Sequence, residues 1–569
     1  MILLQTPEYD AIVVGSGMSG GWAAKELTEK GLRTLVLERG RDQEHGDYPT
    51  EHVPPWEFPL RERRLTPEHA PEHPIQAGSP GFRESTRHFY IRDARSPYVQ
   101  AKPFQWVQGD QVGGKSIMWG RGTYRMSDLD FTANLIDGHG VDWPIRYADI
   151  APWYSYVERF AGINGTVEGM PQLPDGEFQP PMEMNAGEKW LQARVAENYS
   201  DRKMIHGRFA VLTQPIGDRL PCHYCGPCER GCSTGSYFSS LSSTLPAARA
   251  TGKMTLRPNS LAHSVILDEA SGRATGVRFV DTETGDVHEA RARIVFLCAS
   301  ALGTTRLLLN SRTPGHPNGL GGNSGVLGKY LMDNHMRIGA SGRVPGLLDR
   351  YYQGKRPTGS IIPRFRNVRG PDSDGLGFVR GYHLTAGASR AGWGRGSSLP
   401  ELGVELKQIL RDPGPWSVGL GGQGECLPRE DNFVELAEET DPWGIPVLRI
   451  SASWGENELK MREDMRAQAQ EILERAGCEE VSSYDSLPGG AADAMPGGAI
   501  HEMGTARMGR DRSTSVLNGW NQVWDAPNVF VTDGACMASC ANQNPSITYM
   551  ALTARACDHA VAELGRRNL

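Results

Sequence analysis

The sequence predicts a mixed α/β chain (α+β overall), with one Rossmann-like domain on a parallel sheet and a second domain on an antiparallel sheet. Three observations carry that reading. A β-branched run, Tyr9-Asp-Ala-Ile-Val-Val14, passes at once into Gly15-Ser-Gly-Met-Ser-Gly20 and then into a helical stretch ending near Gly31. Far downstream, Ile294-Val-Phe-Leu-Cys-Ala-Ser-Ala-Leu-Gly303 again runs from an apolar strand through a small-residue turn into a helix closing near Leu309. From about residue 341 to 490 the pattern changes to short strands bounded by Gly and Pro.

The first unit reads as the βαβ fold of a dinucleotide site. Gly15 permits a tight turn, Gly17 lets backbone approach a pyrophosphate at the helix N-terminus, and Gly20 lets helix and strand pack closely, with Ser19 in the same turn. Thr34-Leu-Val-Leu-Glu38 supplies the second parallel strand, and its terminal acid, Glu38, is placed for a ribose hydroxyl. Residues 42–95 carry Pro, His, Glu and Arg without a sustained period, which predicts surface excursions or a lid. A second glycine turn follows, Gly109-Asp-Gln-Val-Gly113-Gly114-Lys-Ser116-Ile-Met118-Trp-Gly120. Cys298 lies inside an apolar run and reads as a packed core thiol. In the second domain, Phe433-Val-Glu-Leu436 and Pro446-Val-Leu-Arg-Ile450 read as strands. A helix from about Glu456 to Ala476 shows Leu459, Met465, Ala469, Ile472 and Leu473 on one face and stops at Gly477.

Composition narrows the function classes. The 569 residues hold 60 basic and 67 acidic side chains, a net −7 spread along the chain, so no concentrated basic face for nucleic acid is expected. The longest apolar run, near Ile294–Leu302, is too short to span a bilayer. Met1–Asp10 lacks a basic segment followed by an apolar one, so export would need a signal-bearing carrier. Ten cysteines are too few for a disulfide scaffold, and four crowd into Cys222-His-Tyr-Cys225-Gly-Pro-Cys228-Glu-Arg-Gly-Cys232. C-x2-C-x2-C-x3-C is a ferredoxin-like ligand run, so iron–sulfur chemistry is expected there, with a zinc site or a structural thiol loop as alternatives.

Near the C-terminus stand His501-Glu-Met-Gly-Thr505 and, 43 positions after His501, Asn544-Pro545-Ser-Ile-Thr548, with Asn528-Val-Phe-Val-Thr-Asp533-Gly534 between them. With the opening glycine fingerprint, the Gly113-Gly114 turn and Leu327-Gly-Lys-Tyr-Leu-Met-Asp333-Asn-His335, these segments follow the order seen in glucose-methanol-choline (GMC) oxidoreductases, which the chain resembles over most of its length. That resemblance implies the GMC fold: a discontinuous FAD-binding domain over residues 1–340 and 491–569, and a substrate domain over 341–490. It makes His501 the catalytic base and Asn544 its active-site partner. It also makes Gly15, Gly17, Ser19, Gly20, Glu38, Gly113, Gly114, Ser116, Asp533, Gly534, Pro545 and Thr548 the cofactor contacts. Where some members link FAD covalently through a histidine, this chain has Met118, so non-covalent FAD is implied.

The chemistry agrees. Alcohol oxidation removes a hydroxyl proton while hydride leaves carbon; imidazole suits the first task, and an amide can orient the hydroxyl. The cysteine segment also resembles that of catalytic subunits in multi-subunit bacterial dehydrogenases of glucose, fructose and glucosides. In some of those subunits cysteines matching Cys222, Cys228 and Cys232 hold a [3Fe-4S] cluster, which leaves Cys225 as a fourth ligand of a [4Fe-4S] set or a bystander. That resemblance implies an FAD-dependent sugar or glycoside dehydrogenase, acting at the C3 carbinol of a glucoside, with a small subunit and a cytochrome c acceptor and a periplasmic location by co-export. A cytoplasmic location, a sterol or large-alcohol oxidase, and a non-catalytic flavin–iron carrier are the alternatives. Trp393, Trp416, Trp443 and Trp454 are expected candidates for stacking on a sugar ring.

Overall fold

In the computed structural model, residues 8–62, 65–351, 356–412, 414–485 and 495–569 are described. Residues 1–7, on which part of the N-terminal reading rests, lie outside them.

Strands buried on both faces should read as continuous apolar runs, and two of these do. Ala11–Val14 and Ile294–Leu297 are fully buried and pair in parallel, Ala11 opposite Ile294. They form the centre of a six-stranded sheet ordered Gln522–Val523, Ala526–Val531, Ile294–Leu297, Ala11–Val14, Thr34–Leu37, Met254–Arg257. All its pairs are parallel except the edge pair between Gln522–Val523 and Ala526–Val531. Helix Met18–Glu29 covers this sheet and packs on the C-terminal helix Ser546–Gly565. The C-terminal segment therefore belongs to the same body as the N-terminus.

The second sheet is antiparallel throughout. Its order is Glu479–Asp485, His335–Val344, Trp416–Gly424, Tyr382–Arg390, Ser360–Ile362, Ile205–His206. One strand thus begins at His335, before residue 341, and an edge strand comes from as early as Ile205. Pairing follows the sheet's register, which the chain's linear order does not reveal. Helix Glu456–Arg475 lies on this sheet and buries Met461, Met465, Ala469, Ile472 and Leu473 against Trp416, Leu384 and Leu420, while Leu459 is only half-buried. Met465 fits because Gly422 has no side chain; a Cβ there would stand 2.5 Å from the Met465 sulfur.

The strands Ala11–Val14, Ile294–Leu297 and Ala526–Val531 point the same way, so their carboxyl ends, at Gly15, Cys298 and Asp533, share one edge of the sheet. That edge is where open parallel sheets hold ligands.

Candidate active site

A continuous cleft of about 1850 Å³, its open mouth included, opens on that edge. One end is walled by Glu38, Leu261 and His263, the other by Gly120, Gly122, His501 and Asn544.

At the first end each glycine has its own reason. Gly15 holds φ +93°, and a Cβ there would strike the Cys298 carbonyl at 2.4 Å. A Cβ at Gly20 would lie 1.9 Å from the Gly15 oxygen, so Gly20 sets how closely helix and strand approach. Gly17 differs: its nearest obstacle would be 3.8 Å away, so its bareness keeps space open toward the cleft. No side chain caps helix Met18–Glu29 and no acid lies in its first turn, so its N-terminal amides are left to a bound anion. Glu38 accepts from the Ser16 amide at 3.0 Å, the Ser16 hydroxyl at 2.6 Å and the Gly40 amide at 2.9 Å, which fixes the carboxylate on the wall. Trp106 Nε1, Glu502 Oε1 and Tyr549 Oη belong to cleft-lining residues and have no partner among the described residues. A dinucleotide with a polar ring system fits this set: open space for phosphates, an acid for ribose, and unspent donors and acceptors deeper in.

The remaining cofactor candidates divide. Ser19, Gly114, Ser116, Met118, Asp533 and Gly534 line the cleft. Gly20 and Gly113 lie behind it, and Gly113 donates its amide to Ser16 Oγ at 2.8 Å. Thr548 Oγ1 bonds the Tyr154 hydroxyl at 2.8 Å, and neither it nor Pro545 is part of the wall. Burial pushes the Asp533 carboxyl up to about 6, against hydrogen bonds from Thr304 and the Ala535 amide.

At the other end His501 and Asn544 meet, with His501 Nε2 3.4 Å from Asn544 Nδ2. The loop carrying His501 is pinned by Asp333, whose carboxylate accepts the amides of Gly497, Ala499 and His501 at 2.8, 3.3 and 3.0 Å. The next residue, Asn334, sets the imidazole. Its Nδ2 donates to the carbonyls of Gly424 at 2.9 Å and Ala541 at 2.8 Å, so its Oδ1 is the atom facing His501 Nδ1 at 2.9 Å. An amide oxygen only accepts, so Nδ1 carries the proton and Nε2 presents its lone pair to the cleft. Burial, with Lys115 and His383 nearby, pushes the His501 pKa down to about 3, so the ring is neutral at ordinary pH. Asp333 and Asn334 entered the sequence reading only as part of a motif. Their function depends on contacts 168 and 167 positions away in sequence, which no local pattern reveals.

The expected tryptophans are elsewhere. Trp416 is core, Trp393 is 81% exposed, Trp443 lies over Arg95 and Trp454 against His335; the cleft's tryptophans are Trp106 and Trp119. Trp393 and Trp416 fail for opposite reasons, one facing solvent and one under the helix.

The cysteine loop is set apart from the cleft wall. Residues 48–62 pack against it: Ser233 donates its amide to Glu51, Arg230 bonds the Val53 carbonyl and Glu62, and Gly231 lies against the Tyr48 ring. Cys222 Sγ accepts the Tyr224 amide at 3.4 Å, Cys232 Sγ lies 3.3 Å from Thr234 Oγ1, and Cys225 is exposed. Burial raises the Cys222 thiol to about 11 and Cys225 upward as well, favouring the protonated forms. Among the described residues no group of three or more His, Cys, Asp or Glu side chains is disposed to hold a metal ion. As placed, Cys222, Cys225, Cys228 and Cys232 do not form the iron–sulfur ligand set that their spacing suggests.

Comparison with known proteins gives this arrangement its family. The N-terminal model of the GMC oxidoreductases matches residues 9–336 and the C-terminal model matches residues 428–553. The chain belongs to the GMC oxidoreductase family. Among its relatives, 2-methyl-1,2-propanediol dehydrogenase of Mycolicibacterium austroafricanum is 29% identical, covering 97% of this chain and 95% of that protein. The fructose dehydrogenase large subunit of Gluconobacter japonicus is 24% identical over 98% and 99%. The solved structure of pyridoxine 4-oxidase from Mesorbium loti superposes with a TM-score of 0.59 at 17% identity, over 97% of this chain and 98% of that one, and shares the fold. Membership implies FAD, which the cleft fits, and oxidation of a CH–OH group. No helix among the described residues is long and apolar enough to cross a membrane.

Proposed function

We propose that this GMC oxidoreductase is a dehydrogenase of a sugar or glycoside, oxidising a ring carbinol, specifically C3 of a glucoside, to a ketone. The observation that carries the reading is the neutral His501 with Nδ1 fixed by Asn334 and the unprotonated Nε2 facing Asn544 Nδ2 at 3.4 Å. FAD, held non-covalently against Gly15, Gly17, Glu38, Ser116 and Asp533, would supply the hydride acceptor. His501 Nε2 takes the hydroxyl proton, and Asn544 Nδ2 orients the hydroxyl oxygen and donates to it as negative charge develops. The desolvation that keeps His501 neutral also makes its cation costly, so proton uptake is coupled to hydride departure. The names of the relatives, a diol dehydrogenase and a fructose dehydrogenase subunit, support a small polyhydroxylated substrate.

Electrons then pass to an external acceptor. The name of the fructose dehydrogenase large subunit supports a further subunit; a small signal-bearing subunit, a cytochrome c acceptor and a periplasmic location complete the same proposed reading. The cysteine spacing supports an iron–sulfur relay; the placement of the thiols does not. Reduction of a dye acceptor by the purified FAD-loaded protein, run with methyl glucosides, free sugars, polyols and sterols, tests the reading. A 3-keto glucoside as product supports it; activity confined to sterols or long-chain alcohols overturns the substrate class.

A further inference from the structure

Arg121 lines the cleft between Gly120 and Gly122 and is buried. Its Nε and Nη1 meet no hydrogen-bond acceptor among the described residues. Every other buried arginine there has one: carboxylates for Arg125, Arg364 and Arg380, for example, and backbone carbonyls for Arg219, Arg507 and Arg555. The other Lys and Arg side chains of the cleft are satisfied too, Lys115 by Glu502 at 3.0 Å, Arg306 by Asp441 at 2.7 Å, and Arg39 by Gln108 Oε1 at 3.0 Å and the Gly109 carbonyl at 2.9 Å. Among the described residues the guanidinium lies against the Tyr237 ring, 4.6 Å from the guanidinium carbon, which steadies the group and supplies no acceptor. Its backbone holds φ +64°, uncommon for a residue with a side chain.

The position is at the chemical end. A Cβ on the adjoining Gly122 would stand 2.8 Å from Asn544 Oδ1. A buried cation without an acceptor is strongly disfavoured, so the missing acceptor comes from what the cleft binds.

We propose that Arg121 is an anion-binding side chain of the catalytic cleft, taking a negatively charged oxygen that the protein itself does not provide. Two sources present that chemistry: the pyrimidine carbonyl of FAD once the ring has gained charge, and the carboxylate of an acidic sugar. This inference rests on the flavin-dehydrogenase reading above.

The test uses FAD-loaded enzyme carrying Arg121→Met, Arg121→Gln or Arg121→Lys, with FAD content measured first. Sulfite, which adds to the flavin and leaves its electron pair on the pyrimidine side, probes the first source in the absence of sugar. Gluconate, as an inhibitor or substrate compared with glucose, probes the second. If the flavin is the partner, both neutral variants weaken sulfite binding at least tenfold and the lysine variant restores it to within about threefold. If an acidic sugar is the partner, sulfite binding is unchanged and the neutral variants lose the preference for gluconate over glucose by a similar factor. Neutral variants that leave both probes unmoved, a lysine variant as defective as methionine, or wild-type enzyme that binds neither anion overturn the inference. A protein that loads no FAD would instead overturn the reading beneath it.

Discussion

Replacing Asn334 by Leu removes the acceptor that holds the proton on His501 Nδ1 while leaving His501 and Asn544 in place. A neutral hydrogen bond contributes about 0.5–1.5 kcal/mol net, and about 1.4 kcal/mol is a factor of ten in a population. The tautomer ratio therefore moves up to about tenfold toward Nε2–H, which takes a form dominant by about ten to one down to about half, and kcat/KM falls about twofold. The carbonyls of Gly424 and Ala541 also lose the Asn334 donor; at about 1–3 kcal/mol for each acceptor left short, the fold loses a few kcal/mol. Asn334→Asp separates tautomer from packing. It keeps an acceptor at Nδ1 and adds negative charge, so it preserves the tautomer and raises the His501 pKa from about 3. Anaerobic stopped-flow reduction of FAD across pH 4–9 is the assay. An acid limb that moves to higher pH in Asn334→Asp, with a uniformly lowered rate in Asn334→Leu, supports the assignment. A flavin-reduction rate in Asn334→Leu equal to wild type refutes it.

Gly122→Ala drives a methyl to 2.8 Å from Asn544 Oδ1 and should cut kcat/KM by about 10- to 100-fold with FAD content unchanged; a fully active variant would show that Asn544 does not orient the substrate. His501, His335 and His383 are held neutral by burial, with pKa values pushed to about 3, 3 and 4. Unfolding lets them bind protons, so their contribution to stability is present above about pH 6.5 and is lost as pH falls toward 4, while the buried carboxyls of Asp333, Glu425 and Asp533, pushed up to about 7, 7 and 6, act in the opposite sense over the same window. The histidine share is read as a difference: the melting-temperature deficit of His335→Gln relative to wild type should narrow from about pH 7 to about pH 5, and a deficit that widens on acidification contradicts this burial. Cys225 is exposed and outside the cleft wall, so Cys225→Ser should leave the rate of substrate-driven FAD reduction unchanged, and a large drop in that first half-reaction would tie the loop to the chemistry.

Much of the fold was legible because it depends on neighbours in sequence. The run from Tyr9 to Gly20 encodes strand, turn and helix within a dozen residues, and the helix from Glu456 to Arg475 announces its buried face by period. The edge strand Ile205–His206 carries no comparable signal, since two residues gain their pairing only from Ser360 and Ile361. At the site, His501 and Asn544 stood out by motif, whereas Asn334 and Arg121 did not: an asparagine that fixes a tautomer and an arginine that lacks an acceptor are defined by what surrounds them in space. The tryptophans mislead for the same reason, since indole serves a core, a surface or a ligand equally well. The cysteine spacing is legible and ambiguous, because ligand geometry belongs to the folded loop rather than to the intervals between cysteines.

The central claim is that His501 removes the substrate proton beside bound FAD, and single-turnover bleaching of the flavin by an active sugar in His501→Ala tests it most directly. With FAD content equal to wild type, the rate should fall by about 10²- to 10⁴-fold. A rate within twofold of wild type would contradict the account.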